Sequence, residues 1–198
     1  MYDYADKVVI YLISQIIDKI NKLHIDDYTA QAIVFKRVRA VFDEINELVI
    51  LWFVITASQA YDVAGGLENT ISKQWLNENV LEAYDPITQY VYTNELERKA
   101  DRFAESLVAT NGSAEAKEIA IKQLTAMIKQ YSITVVDMAT LEAYIERDVE
   151  EVVWHTVLDR NTCSVCRSRN GMVYPVDKVP PKVHYGCRCY LVPKGAQK

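Results

Sequence analysis

Residues 34–55, VFKRVRAVFDEINELVILWFVI, decide the fold of this chain. Apolar residues return there at alternating steps of four and three: Val34, Val38, Val41, Ile45, Leu48, Trp52 and Ile55. This spacing predicts a long helix with one continuous apolar stripe. The most apolar part, residues 48–57, has about half the length that a membrane span needs. Neighbouring positions are also apolar, so we expect the helix at the centre of a bundle rather than in a coiled coil.

Helical spacing continues on both sides of this stretch. A preceding helix is expected over residues 3–23. Local signals for helix ends follow in chain order: Gly65-Gly66 as a stop, Asp85-Pro86 as a start, Asn111-Gly112 as a stop and Ser113 as a cap. Residues 133–136 are β-branched and are open to either a bend or a helix. The last helical face, Leu141, Ile145, Val149 and Val152, predicts a helix that runs to Trp154.

The composition excludes a disordered or low-complexity protein. Half of the 198 residues are apolar, and Gly and Pro together number only 11, from 6 and 5. The net charge of −5 is unevenly distributed: residues 154–198 carry 8 Lys and Arg against 2 Asp and Glu, and residues 1–153 carry 14 against 25. We therefore expect an acidic helical domain over 1–153 and a basic module over 154–198.

The basic module differs from the helical part in its local patterns. Helical spacing stops after Asp159, and residues 168–174 contain Asn170-Gly171, which favours a β-hairpin with a type I′ turn. A segment of about 40 residues is too small to form a sound core alone. The predicted fold is therefore mainly α: a helical bundle with long helices, followed by a small C-terminal β-hairpin module. This module needs an additional cross-link to be stable.

All four cysteines lie in this module. Cys163-x-x-Cys166 is followed, after 17 residues, by an H-x-x-C-x-C run formed by His184, Cys187 and Cys189. Two such pairs have the spacing of a structural zinc site, and thiolates favour zinc over harder ions. We assign Cys163, Cys166 and Cys187 as ligands, with His184 or Cys189 as the fourth. Two disulfides or four free thiols are the alternatives. The acidic N-terminus is unlike a signal peptide, so a reducing cytosol is expected.

The same segment resembles a known family. The residues in order are Trp154, Asp159, Cys163-x-x-Cys166, Asn170-Gly171, Pro180-Pro181, His184 and Cys187-Arg188-Cys189. Together they are similar to the C-terminal signature of the tailed-phage minor head proteins, the Mu F-like head morphogenesis family, over residues 154–193. The helical half departs from that family, because residues 142–147, EAYIER, replace its usual Arg-Thr/Ala-Glu motif.

This resemblance implies a virion protein of the phage head, assembled in the host cytoplasm, that acts in head morphogenesis or DNA delivery. It implies the portal protein as partner. Major capsid protein, scaffolding protein and packaged DNA are further candidate partners, and no membrane or small-molecule substrate is expected. Trp154 and Asp159 are expected to pack the module.

The sequence favours a structural protein over an enzyme. It contains no P-loop, no G-x-S-x-G and no H-E-x-x-H motif, and a catalytic zinc would leave one position open. A nucleic-acid-binding zinc ribbon is the alternative from another class. Its contacts to packaged DNA would come from basic residues of the module: Arg160, Arg167, Arg169, Lys182 and Arg188. The acidic remainder of the chain would repel DNA, so docking on acidic helices of this chain or of a portal subunit is the competing interpretation.

Overall fold

The computed structural model describes residues 2–26, 28–67, 71–184 and 186–195, with side chains of the first helix described from Ile10 onward. Helices dominate these residues. In chain order they are α1 (Tyr2–Asn21), α2 (Gln31–Val63), α3 (Lys73–Leu76), α4 (Tyr92–Ala109), α5 (Ala114–Glu146) and α6 (Ser164–Arg169). None of the described helices is long and apolar enough to cross a membrane.

The β structure is small and lies mainly near the C-terminus. The strands are β1 (Tyr84–Asp85), β2 (Tyr90–Val91), β3 (Glu151–His155), β4 (Val173–Pro175) and β5 (Tyr190–Pro193). β3 is the central strand of the larger sheet and pairs antiparallel with both β4 and β5. The predicted fold class, mainly α with a small C-terminal β element, is confirmed.

Two compact units make up the described chain. One is formed by Met1–Phe53 and Val91–Lys129, and the other by Val54–Tyr90 and Gln130–Lys198. The long helices α2 and α5 each contribute residues to both units. The expected division into an acidic helical domain, 1–153, and a basic module, 154–198, stays a prediction.

The first unit has a helical core. Ile16, Ile20, Val38 and Ile45 are fully buried, and the rings of Phe42 and Phe103 lie 6.2 Å apart. Ser113 caps α5, since its hydroxyl accepts a hydrogen bond from the Ala116 N–H at 3.2 Å. The predicted long helix is thus present as α2, and the predicted cap Ser113 is present at the start of α5. Residues 133–136 lie inside α5 and form no bend.

The buried stripe of α2 departs from the predicted heptad. The structure buries Phe42, Val49 and Phe53, whereas Val41, Leu48 and Ile55 are only half-buried. A straight helix repeats every 3.6 residues, so its buried face drifts away from a strict 3.5-residue repeat. The drift favours a bundle helix over a coiled coil.

Asp85-Pro86 does not start a helix, contrary to expectation. The Asp85 carboxylate instead accepts hydrogen bonds from the N–H groups of Ile87 and Thr88, at 2.7 and 3.3 Å. These bonds close a turn between β1 and β2, and Gln89 then adopts a left-handed φ of 62°. Helix α4 begins only at Tyr92, because a left-handed residue interrupts helical geometry.

The helix predicted up to Trp154 ends at Glu146. Asp148 adopts a left-handed φ of 54°, and residues 151–155 form β3 with Val152 and Trp154 buried on one face. The competing signal was residue type, because Val152, Val153 and Trp154 are β-branched or aromatic residues that are enriched in strands. Pairing with β4 and β5 on both sides stabilises the extended form.

The hairpin expected within residues 168–174 does not form, and the end of helix α6, a turn and strand β4 occupy these residues. Ser164–Arg169 is helical, and Asn170 has φ −60° and ψ 122°, followed by Gly171 at φ 82°. These angles belong to a type II turn, whereas a type I′ turn needs a positive φ at both residues. The turn leads from α6 into β4, whose partner is β3 and not the segment before the turn.

Candidate metal site

The first arm of the site is the start of helix α6. Cys163 is the N-cap of α6, and its Sγ accepts a hydrogen bond from the Cys166 N–H at 3.3 Å. This N–H···S bond is the usual geometry of a C-x-x-C turn, in which both sulfurs face the same point. Cys166 is buried and Cys163 is half-buried.

The second arm is the segment that leads into β5. Cys187 and Cys189 are both buried, and they lie just before Tyr190, where pairing with β3 begins. Sγ of Cys166 lies 3.3 Å from His184 Nε2 and 3.5 Å from Cys187 Sγ. The sheet therefore brings the two arms together.

All five predicted ligands converge. Their ligand atoms form two groups that share Cys166: one contains Cys163 and His184, the other Cys187 and Cys189, and within each group all atoms lie within 4.8 Å of one another. A cavity of about 30 Å³ is lined by Cys163, Cys166, His184 and Cys189 among others. The four cysteines are free thiols and form no disulfide. Such a cluster could hold a metal ion.

The pKa values of the four cysteine thiols are shifted in opposite directions. Burial raises the pKa of the Cys166 thiol far above its usual range, and burial likewise raises the pKa of Cys187. The pKa of Cys163 is lowered, chiefly because the Cys166 N–H stabilises its thiolate. Burial also acts to raise the pKa of Cys189, but hydrogen bonds led by the one with Thr156 outweigh it and lower the pKa. A divalent cation would stabilise all of these groups as thiolates.

Trp154 forms the apolar wall behind the cluster. It is 2% exposed and packs with Cys166, Cys187 and Cys189. The Arg169 guanidinium lies 5.1 Å from the centre of the Trp154 ring, and the Tyr174 ring lies at 68° to it with 6.3 Å between ring centres. The side chain expected to pack the module thus lies directly against the predicted ligands.

Asp159 connects the two arms. Its carboxylate accepts hydrogen bonds from Arg188 at 2.7 Å and from the Asn161 N–H at 2.9 Å. Arg188 lies between Cys187 and Cys189, and Asp159 precedes Cys163 by four residues. The ion pair therefore fixes the loop of one arm to the loop of the other.

Most of the basic residues proposed for DNA contact have partners inside the protein. Arg167 donates to the carbonyls of Asp159 and Thr162, and Arg169 donates to the Pro181 carbonyl at 2.8 Å. Lys182 pairs with Asp137 of α5 at 2.8 Å, and Arg188 pairs with Asp159. Arg160 is exposed. Four of the five residues thus have partners within the protein, and two of them, Lys182 and Arg188, pair with carboxylates.

Two residues of this region were missed by sequence reasoning. Thr156 donates a hydrogen bond to the Cys166 carbonyl at 2.8 Å and lies 3.4 Å from Cys189 Sγ. The Asp137 carboxylate accepts a hydrogen bond from Lys182, which lies 45 residues further along the chain. Burial raises the pKa of the Asp137 carboxyl. Neither residue belongs to a local motif, so no signal in the sequence could have identified these roles.

The comparisons with known proteins identify one family. The family model described as "Phage Mu protein F like protein" matches residues 92–192. This match covers α4, α5, the C-terminal sheet and the whole Cys/His cluster. A search of curated proteins found no match, and a search of solved structures found none either. Since the family model covers just over half of the chain, the chain belongs to the Phage Mu protein F like family of phage head proteins.

Proposed function

We propose that this chain is a structural minor head protein of a tailed phage. It associates with the portal, acts in head morphogenesis or DNA delivery, and uses a zinc ion to hold its C-terminal module. The observation that carries the proposal is the family match over residues 92–192, which encloses the Cys/His cluster. Its location would be the virion head, after assembly in the host cytoplasm.

The donor set of the cluster fits zinc. Soft thiolates combined with an imidazole are typical of structural zinc sites, and harder ions prefer oxygen. Cys163, Cys166 and Cys187 would bind the ion, with His184 or Cys189 as the fourth ligand. The Thr156 hydroxyl, which donates to the Cys166 carbonyl, and the Asp159–Arg188 pair would support the ligand-bearing loops from outside.

A structural role is favoured over a catalytic one. Five candidate ligands compete for four positions, and three of them, Cys166, Cys187 and Cys189, are buried. Thiolate-rich zinc sites of this kind are closed, whereas catalytic sites keep one position open for water or substrate. When bound, the ion would supply folding free energy to the small module rather than chemistry.

Docking on protein is favoured over direct DNA contact. Arg167, Arg169, Lys182 and Arg188 all have partners within the module or on α5. These side chains would have to exchange their partners for phosphates in order to bind DNA. The Lys182–Asp137 pair supports the interpretation that basic residues of the module dock on an acidic helix of this chain.

The test is to co-express the chain with the portal protein of the same phage and to examine the purified material by native mass spectrometry. We expect the two proteins to copurify, and we expect one zinc per copy of this chain that chelation removes. A free-thiol count after chelation should give four. A portal protein from an unrelated phage serves as the control for non-specific binding.

Each part of the proposal has its own contrary result. Failure to copurify with the portal protein while the chain is folded would remove the portal as partner. A metal-free chain with paired cysteines would replace the zinc staple by disulfides. His184→Ala and Cys189→Ser then identify the fourth ligand, as the variant whose zinc occupancy falls.

A further inference from the structure

One close sulfur–sulfur contact joins the two arms of the Cys/His cluster. Sγ of Cys166, in the first arm, lies 3.5 Å from Sγ of Cys187, in the second. Both cysteines are buried. A small rotation of the two side chains brings sulfurs at this separation to the bonding distance of a disulfide. These two residues are thus placed for a covalent bond between the arms.

Two other pairs of neighbouring cysteines lie within one arm each. Cys163 and Cys166 form the pair of the first arm, and their sulfurs lie within 4.8 Å of each other. Cys187 and Cys189 form the pair of the second arm, at a separation within the same limit. A disulfide in either pair would leave the arms unconnected. A bond between Cys166 and Cys187, which are 21 residues apart, would instead constrain the two segments that a metal ion would hold.

Cys189 is the other sulfur of the second arm that lies near Cys166. The two sulfurs are within 4.8 Å of each other, but Cys189 Sγ also lies 3.4 Å from the Thr156 hydroxyl. Turning Cys189 toward Cys166 would cost this hydrogen bond. The closer contact and the free rotation therefore favour Cys187 as the partner of Cys166.

Cys163 is the accessible thiol of the cluster. It is half-buried, whereas the other three cysteines are buried. Oxidation of a cysteine depends on how exposed its sulfur is, so an oxidant that reaches the cluster meets Cys163 first. Cys166 belongs to both groups of ligand atoms, one with Cys163 and the other with Cys187. It is therefore placed to pass an oxidation from the accessible sulfur to the buried one.

We propose that a peroxide converts the metal-bound cluster into a disulfide between Cys166 and Cys187, which replaces the metal ion as the link between the two arms. The inference rests on the metal ion of the proposed function and not on the portal. Under that function, the chain is assembled in a reducing cytoplasm and then leaves the cell in the virion, where disulfides persist. The module keeps a cross-link in both environments.

The reaction consumes one peroxide and two thiolates. The Cys163 thiolate attacks one peroxide oxygen, the O–O bond breaks and hydroxide leaves, so that Cys163 becomes a sulfenic acid. The Cys166 thiolate attacks the Cys163 sulfur, and the S–O bond breaks with loss of a second hydroxide. The Cys187 thiolate then attacks the Cys166 sulfur, and Cys163 leaves as a thiolate. Two electrons thus pass from Cys166 and Cys187 to the peroxide, and both hydroxides take up protons to form water. Disulfide sulfurs are no longer thiolate ligands, so the metal ion is released.

The test treats the full, zinc-loaded chain, purified under reducing conditions, with an equimolar amount of hydrogen peroxide. Free thiols are blocked at intervals, and the disulfides are mapped by mass spectrometry of peptides. Early samples should contain a Cys163–Cys166 disulfide, and later samples should contain Cys166–Cys187 in its place. The free-thiol count should fall from four to two, and one zinc ion should be released for each disulfide that forms.

Hydrogen exchange measures whether the disulfide replaces the ion. Two metal-free forms of the same chain are compared: the oxidised chain, and the reduced chain after chelation. The Trp154 amide donates to the Met172 carbonyl at 2.9 Å and reports on the sheet of the module. It should exchange at least about 10-fold more slowly in the oxidised form, because the disulfide constrains the unfolded module. Oxidation of the chelated chain in denaturant is the control for pairing, since short loops within each arm should then dominate.

Any final disulfide other than Cys166–Cys187 in the native chain, or four thiols that stay unpaired, would overturn the proposal. The expected disulfide with a Trp154 amide that exchanges as fast as in the reduced, chelated chain would overturn it too. A reduced chain that purifies without zinc would instead contradict the metal ion of the proposed function. The disulfide map of that chain after peroxide treatment would still decide the pairing.

Discussion

Asp159 shows how much one carboxylate contributes to the candidate metal site. The Arg188 guanidinium holds the pKa of Asp159 below its usual range, and the N–H of Asn161 adds a further hydrogen bond. Thr162 also donates to this carboxylate, at 3.2 Å. The side chain thus orders the loop before Cys163 and the arginine between Cys187 and Cys189. We therefore expect Asp159 to position the predicted ligands.

Asp159→Asn should accelerate loss of the metal to a chelator by about 1.5- to 5-fold, the range typical of an exposed ion pair. The amide keeps the shape and part of the hydrogen bonding, so the change isolates the charge. The rate is measured from zinc released to a colorimetric chelator. Glu118→Gln removes another exposed pair, with Lys122 at 2.7 Å, and should leave the rate unchanged. Equal rates for Asp159→Asn and the wild type would contradict the positioning role.

Helix α2 illustrates what sequence periodicity predicts at the scale of an element. The expected helix is present, but the buried positions shift from the heptad to Phe42, Val49 and Phe53. Trp52 is 7% exposed and its neighbour Leu51 is 59% exposed. The nearly continuous apolar sequence around Trp52 could not distinguish these faces, because hydrophobicity alone gives no direction there.

Trp52→Asp tests whether this helix lies at the centre of the bundle. The change removes a large buried side chain and introduces a charge, so it should lower the free energy of unfolding by at least about 3 kcal/mol. Leu51→Asp, one residue earlier on the exposed face, should change it by about 0.5 kcal/mol or less. Chemical denaturation followed by circular dichroism measures both. A Trp52→Asp chain that is as stable as the wild type would contradict a bundle-centre helix and indicate a surface for a partner.

At the scale of the whole molecule, the family match crosses the boundaries of the compact units. It runs from α4 to β5 and includes residues of both units. The C-terminal sheet also contacts α5 through the Tyr144 hydroxyl, which donates to the Leu191 carbonyl at 3.3 Å. A metal ion bound at the Cys/His cluster would therefore act on a sheet that also contacts a long helix.

Cys187→Ser should remove the metal and unfold residues 155–193 while the helical signal in circular dichroism is nearly retained. The reason is that metal binding supplies most of the folding free energy of so small a module. Val165→Ser is the matched control, because it introduces serine at an exposed position of the same C-x-x-C turn. Hydrogen exchange locates the change along the chain. Collapse of the whole helical signal would show that the module and the helices share one core.

The sequence by itself determined the features that depend on neighbouring residues. The long helices follow from 3.6-residue spacing, and the end of α4 follows from Asn111-Gly112 at φ values of 48° and 75°. The convergence of Cys163 and Cys166 follows from a single turn. The pairing of these cysteines with His184, Cys187 and Cys189 was predicted from the chemistry of the motif.

Only the tertiary structure decided the features that depend on residues far apart in the chain. The extended form of Glu151–His155 requires β4 and β5 on either side. The Lys182–Asp137 pair and the Tyr144–Leu191 hydrogen bond each join segments separated by about 45 residues or more. Local propensity gives no information about such contacts, because their free energy exists only when packing brings the segments together.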